Sequence, residues 1–153
     1  MIPVQRLNHV VLYVRDAAAS ARWYSDLFGF EIITEMPGAA FLKAAGTDNH
    51  HDLGLFSVGA DAPGPESGRV GLYHLAWQVG SIRDLVVARA DLRERGAYVG
   101  ESDHGATKSL YGKDPDGNEF EIMWMVPRDL WGDYEHDAVI ERLDLDAEVA
   151  RFA

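Results

Sequence analysis

Leu7-Asn8-His9-Val10-Val11-Leu12-Tyr13-Val14 begins a pattern that this chain runs through twice. The stretch is rich in β-branched and aromatic residues and is expected to form a strand. Asp16 then has the chemistry of a helix N-cap. Residues 17–28 put Trp23, Tyr24, Leu27 and Phe28 at helical spacing, and Gly29 supplies a C-terminal stop. Three strands are expected next, at about 30–36, 39–45 and 51–58, separated by Pro37-Gly38 and Gly46-Thr47-Asp48-Asn49. The pattern restarts at Leu72–Val79. Ser81, with Asp84 three residues on, resembles a capping box. Ile82, Leu85, Val86 and Leu92 recur at helical spacing up to Gly96. Strands are expected near 97–101, 107–113 and 118–125, with Asp114-Pro115-Asp116-Gly117 as a turn.

The spacings agree between the halves. His9 precedes the cap Asp16 by seven residues, and His74 precedes Ser81 by seven. Gly29 to Leu53 is 24 residues, and Gly96 to Glu121 is 25. These matches imply an internal repeat: an α+β fold of two βαβββ modules, 6–58 and 70–125, with a linker at 59–69. A lone four-stranded unit of this kind exposes one sheet face, so the expectation is a single domain over 1–153. The tail beyond 126 is an addition. Its Val139, Leu143, Leu145, Val149 and Phe152 suggest a short amphipathic helix.

The chain has 153 residues, 47% hydrophobic and 25% charged, the composition of an ordinary globular domain. No apolar run approaches the ~20 residues that a membrane-spanning helix needs. The opening Met-Ile-Pro-Val-Gln-Arg has no signal-peptide pattern, so a cytoplasmic location is expected. The formal net charge of −11 repels phosphate backbones and argues against a nucleic-acid partner. There is no cysteine, hence no thiolate metal site. Any metal must be held by His, Asp, Glu or water.

His9 and His74 occupy matching places at the first strand of each half, and Glu121 lies on the last strand of the second. A single strand histidine is usually structural. Two at equivalent repeat positions, with a carboxylate on a partner strand, point instead to a metal. Two imidazoles and one carboxylate fill one face of an octahedral ion and leave three positions open, a donor set suited to non-haem Fe(II). The first-half position equivalent to Glu121 falls at about Leu53, which cannot ligate, so three protein ligands are expected rather than four.

The repeat, the paired histidines and the Asp-Pro-Asp-Gly-Asn-x-x-Glu ending resemble the vicinal oxygen chelate superfamily. Within it, His104-Gly-Ala-Thr-Lys-Ser-Leu110-Tyr111-Gly-Lys-Asp114-Pro115-Asp116-Gly117-Asn-Glu-Phe-Glu121 is similar to the signature of the type I extradiol ring-cleaving dioxygenases. Ser102 departs from the residues more usual two before that histidine. His51-Asp52-Leu53-Gly54-Leu55 resembles a family strand motif whose histidine enters the pocket; His50, next to it, is expected on the opposite face. The likeness covers roughly 6–135. Larger members carry a further pair of modules, and this chain has one pair.

The resemblance implies Fe(II), with Mn(II) as a substitute, bound by His9, His74 and Glu121. It implies a catechol-type substrate cleaved with O₂. It casts His51 as acid–base group, Tyr111 as hydrogen-bond partner of a substrate oxygen, and His104 as a residue beside the substrate. It also implies a homo-oligomer, a dimer or higher. Two other classes share the scaffold. One is a different metal enzyme, a glyoxalase-like isomerase or a fosfomycin-type thiol transferase. The other is a metal-free binding or resistance protein. The three-ligand set and the His51, His104, Tyr111 group favour the dioxygenase.

Overall fold

The computed structural model describes residues 1–152. They divide into two compact units, with the boundary between Pro65 and Glu66 inside the expected linker. Each unit holds a four-stranded mixed sheet and a helix in βαβββ order. Among the described residues no helix is long and apolar enough to cross a membrane.

The first unit comprises β1 (Val10–Val14), α1 (Ala17–Phe28), β2 (Glu31–Met36), β3 (Ala39–Lys43) and β4 (Leu53–Ser57). The sheet order is β1-β4-β3-β2, with β1 parallel to β4 and the other pairs antiparallel. Asp16 caps α1 by accepting from the Ala19 amide at 3.0 Å. Gly29 ends it at φ 67°, a left-handed conformation that suits glycine. α1 buries Ala17, Ala21 and Tyr24 on the sheet face that carries Leu12, Val14, Leu42, Leu53 and Leu55. Each fully buried leucine contributes about 1.5–3 kcal/mol relative to exposure. Val11 and Tyr13 alternate onto the face away from α1 and are exposed.

The second unit comprises β5 (Leu75–Val79), α2 (Ile82–Glu94), β6 (Tyr98–Asp103), β7 (Thr107–Lys113) and β8 (Glu119–Met125). Its order, β5-β8-β7-β6, repeats the first, and β5 runs parallel to β8. The capping box is present: Ser81 accepts from the Asp84 amide and Asp84 accepts from the Ser81 amide. α2 packs Ile82, Leu85 and Leu92 against Leu110, Phe120 and Ile122. Gly112 is required where it stands, because a Cβ there would lie 2.6 Å from the Phe120 ring.

The tail belongs to the second unit. After two 3₁₀ turns, Arg128–Leu130 and Gly132–Glu135, it pairs Glu141 with Asp103 at the end of β6. It then forms α3 (Leu145–Phe152). Leu143 and Leu145 are buried, and Phe152 meets Trp124 with ring centroids 5.1 Å apart. Lys108, its side chain only 5% exposed, is held between Asp103 at 2.5 Å and Glu148 at 3.4 Å.

Several boundaries differ from expectation for one reason: a strand ends where its partner does. β1 begins at Val10, which pairs with the first residue of β4, so residues 7–9 have nothing to pair with and His9 lies just ahead of the strand. His74 likewise precedes β5. β4 begins at Leu53 rather than 51, because the carboxylate of Asp52 turns back to the Ala44 amide at 2.8 Å. In the tail, Val139 and Leu143 precede α3 instead of lying in it.

Candidate functional site

Strand alternation decides which side chains of the second unit can act together. Phe120, Ile122 and Trp124 turn toward the core, so Glu121 turns to the face away from α2. Its register partners are Ala76 on β5 and Tyr111 on β7. Ser109, fully buried two residues before Tyr111, lies on the same face and donates its hydroxyl to Glu121 Oε1. The other carboxylate oxygen, Oε2, lies 3.1 Å from Nε2 of His74. The Nδ1 of His74 is buried and has no hydrogen-bond partner. The His74 and Tyr111 rings meet edge on, with centroids 5.6 Å apart.

Tyr111 continues the polar group. Its hydroxyl is 2.8 Å from His104 Nε2, and His104 Nδ1 is 2.9 Å from the Val139 carbonyl oxygen. Burial, then the nearby Glu121 carboxylate, pushes the Tyr111 pKa above the ordinary phenol value, with a Ser102 hydrogen bond opposing. Tyr111 is therefore a neutral hydroxyl at physiological pH.

The first unit holds His9 and His51, with ring centroids 4.5 Å apart. Phe41 meets His51 edge on at 5.1 Å. Burial lowers the His51 pKa below the ordinary imidazole value, and the neighbouring His9 and His50 add to the shift. His51 thus remains neutral, and able to accept a proton, to lower pH than a free imidazole. The expected opposition of His50 and His51 fails: their Nδ1 atoms are 3.1 Å apart. Both residues precede β4, where strand alternation does not apply.

His9 is oriented from behind. Its Nδ1 is 2.9 Å from the Asn8 side-chain oxygen, which can only accept, so Nδ1 carries a hydrogen and the lone pair of the neutral ring is on Nε2. Asn8 donates to Asn49, which donates to the Asp52 carboxylate at 2.8 Å, and Arg6 also donates to Asn49. Asn49 and Asp52 are buried. Such a chain behind an imidazole is the usual support of a ligating histidine.

The expected ligands are thus split between the units: His9 in one, His74 and Glu121 in the other. Among the described residues no three His, Cys, Asp or Glu side chains converge on one metal position. The donor chemistry fits a hard or borderline divalent ion. A carboxylate with one oxygen tied to Ser109 directs the other at an imidazole nitrogen, and an ion between them would draw on both lone pairs.

The register corrects one expectation. His9 and Val11 correspond to His74 and Ala76; Val11 pairs with Gly54 as Ala76 pairs with Glu121. The counterpart of Glu121 is Gly54, not Leu53, which faces α1 at 0% exposure. Gly54 cannot ligate either. Three polar groups beside the expected ligands were not anticipated from the sequence. Ser109 could have been found, since it alternates with Tyr111. The Asn8–Asn49 contact joins residues 41 apart, and the Val139 contribution is a backbone atom, which no side-chain pattern announces.

Comparison with known proteins places the chain in a class. Residues 6–122 match the Glyoxalase/Bleomycin resistance protein/Dioxygenase superfamily. The chain belongs to that superfamily, the vicinal oxygen chelate fold. It is 35% identical over 125 residues to biphenyl-2,3-diol 1,2-dioxygenase 3 of Rhodococcus globerulus, covering 80% of this chain and 65% of that protein. It is 31% identical over 144 residues to catechol-2,3-dioxygenase of Bacillus subtilis (strain 168), covering 93% of this chain and 50% of that one. The chain therefore spans about half to two thirds of these relatives. Among solved structures, the fosfomycin resistance protein FosX from Listeria monocytogenes, complexed with Mn(II) and sulfate ion, superposes with a TM-score of 0.66. That match has 18% identity and covers 86% of this chain and 98% of that one, and it speaks to the fold alone.

Proposed function

We propose that this chain carries the metal-binding module pair of an extradiol dioxygenase acting on a catechol-type ring. The observation that supports it most is Glu121 Oε2 directed at His74 Nε2, 3.1 Å away, beside a neutral, hydrogen-bonded Tyr111. Two relatives named as dioxygenases of catechol and of biphenyl-2,3-diol support the substrate class.

In this reading His9, His74 and Glu121 hold Fe(II), and Mn(II) can substitute because the donor set does not discriminate strongly between them. The metal, when bound, supplies open positions at which a catechol and O₂ react side by side. The chain's own residues do the rest. Ser109 ties up one carboxylate oxygen of Glu121, which leaves the carboxylate to bind through the other. Tyr111 hydrogen-bonds a substrate oxygen, and His104 holds Tyr111 in place. His51, whose pKa is lowered by burial, takes a phenol proton and returns it later.

The test is purification without oxygen, reconstitution with Fe(II), and exposure in air to catechol, 3-methylcatechol, 2,3-dihydroxybiphenyl and homoprotocatechuate. Yellow ring-fission product with matching O₂ uptake, lost in His9→Ala, is the expected result. Protein shown to hold Fe(II) that yields neither colour nor O₂ uptake would move the assignment to an isomerase or thiol transferase on the same scaffold.

A further inference from the structure

The hydrogen bonds around His104 have a direction, and a backbone atom of the tail sets it. His104 Nδ1 lies 2.9 Å from the Val139 carbonyl oxygen. A carbonyl can only accept, so Nδ1 carries the ring hydrogen. In the neutral ring Nε2 is then a bare lone pair, and the Tyr111 hydroxyl, 2.8 Å away, donates to it. Its one hydrogen committed, the Tyr111 oxygen can only accept from anything else.

We propose that the C-terminal segment is a positioning element: the Val139 carbonyl fixes His104 as its Nδ1–H tautomer and so makes Tyr111 a hydrogen-bond acceptor on the face that carries Glu121. The opposite tautomer reverses the chain. His104 would donate to Tyr111, and the tyrosine hydrogen would point at the ligand. The two senses select different ligands. An accepting Tyr111 favours an oxygen that still bears a hydrogen, and a donating one favours an anionic oxygen. The identity of that ligand as a catechol rests on the proposed function; the direction of the chain does not.

The segment is built to hold this carbonyl still. Two residues beyond Val139, Glu141 exchanges both backbone hydrogen bonds with Asp103, each at 2.9 Å. The turn after His104 passes under Tyr134 of the same segment: at Gly105, φ +75°, a Cβ would lie 2.5 Å from the Tyr134 ring. Leu143 and Leu145, at 2% and 1% exposure, anchor the chain beyond Glu141.

The test is ¹⁵N NMR of the full chain labelled at histidine, without metal, at pH ~9, well above the free imidazole pKa of about 6.5. The His104 signals are those lost in His104→Gln. The Nδ1–H tautomer is expected, although free imidazole side chains favour the other form. Finding Nε2–H in the unsubstituted chain overturns the proposal, with no variant needed. Tyr111→Phe should leave the tautomer unchanged; a switch there would put control at the tyrosine and also overturn it. Glu141→Pro removes the amide that donates to Asp103, at an exposed position, and should lower the Nδ1–H fraction from nearly all to under half. Full retention in a folded Glu141→Pro chain whose Asp103 pairing is lost counts against the proposal. The expected tautomer in a protein that cleaves no catechol leaves this inference standing and removes the dioxygenase reading. The Nε2–H form in an active dioxygenase does the reverse.

Discussion

The two units share a frame and differ in what they place on it. Aligned by register, Gly54 stands where the second unit has Glu121, Phe41 where it has Tyr111, and Ala39 where it has Ser109. The histidines ahead of the first strands, His9 and His74, are kept in both. These three polar groups of the second sheet are thus matched by an apolar residue or a glycine in the first. In the first unit the space is filled by packing: a Cβ at Gly54 would meet Phe41 and Val11 at 3.4 Å. The frame is duplicated, and at these three register positions only the second copy carries polar side chains.

That contrast is broken most severely by giving the second unit the first unit's residues. Glu121→Gly removes the proposed carboxylate ligand; stoichiometric Fe(II) binding should vanish, as read by metal analysis after desalting, and ring cleavage with it. Ser109→Ala frees Glu121 Oε1 from its hydroxyl. Loss of such a supporting bond should weaken metal affinity about 10–100-fold in chelator competition, with the fold retained. Tyr111→Phe copies Phe41. It should leave metal content intact and lower kcat/KM for a catechol about tenfold, the value of one hydrogen bond of ~1.4 kcal/mol. Gly54→Ala is the mildest. Relief of glycine's entropy offsets a tight contact with Phe41, so thermal or urea unfolding should shift by less than ~1 kcal/mol, with metal content unchanged. A large loss of metal in Gly54→Ala would sink the view that Gly54 and Phe41 serve packing alone.

Much of the fold was legible because it is periodic and repeated. Residues 17–28 and 107–113 form the helix and strand that their patterns predict, and the Asp16 and Ser81 caps act as such. Glu121 was expected within reach of both histidines, and the structure shows it 3.1 Å from His74. What escaped depends on partners distant in sequence. Strand ends at Val10 and Leu53 are set by cross-strand pairing, which also moved the counterpart of Glu121 from Leu53 to Gly54. His50 faces His51 in the turn ahead of β4, where Asp52, expected in the strand, instead accepts from the Ala44 amide and the Asn49 side chain. The tail's composition suggested a helix, and α3 exists, but its carbonyl at Val139 has no signature in any side chain.

The burial of Lys108 gives the second unit a chemical clock. The chain has three lysines, Lys43, Lys108 and Lys113, and Lys108 alone is enclosed, between Asp103 and Glu148 of α3. An amine-reactive reagent should acylate Lys43 and Lys113 at once, and Lys108 only as often as α3 swings away. The slow modification of that third lysine, tracked by mass spectrometry, therefore times the opening of the C-terminal helix without any substitution in the sequence.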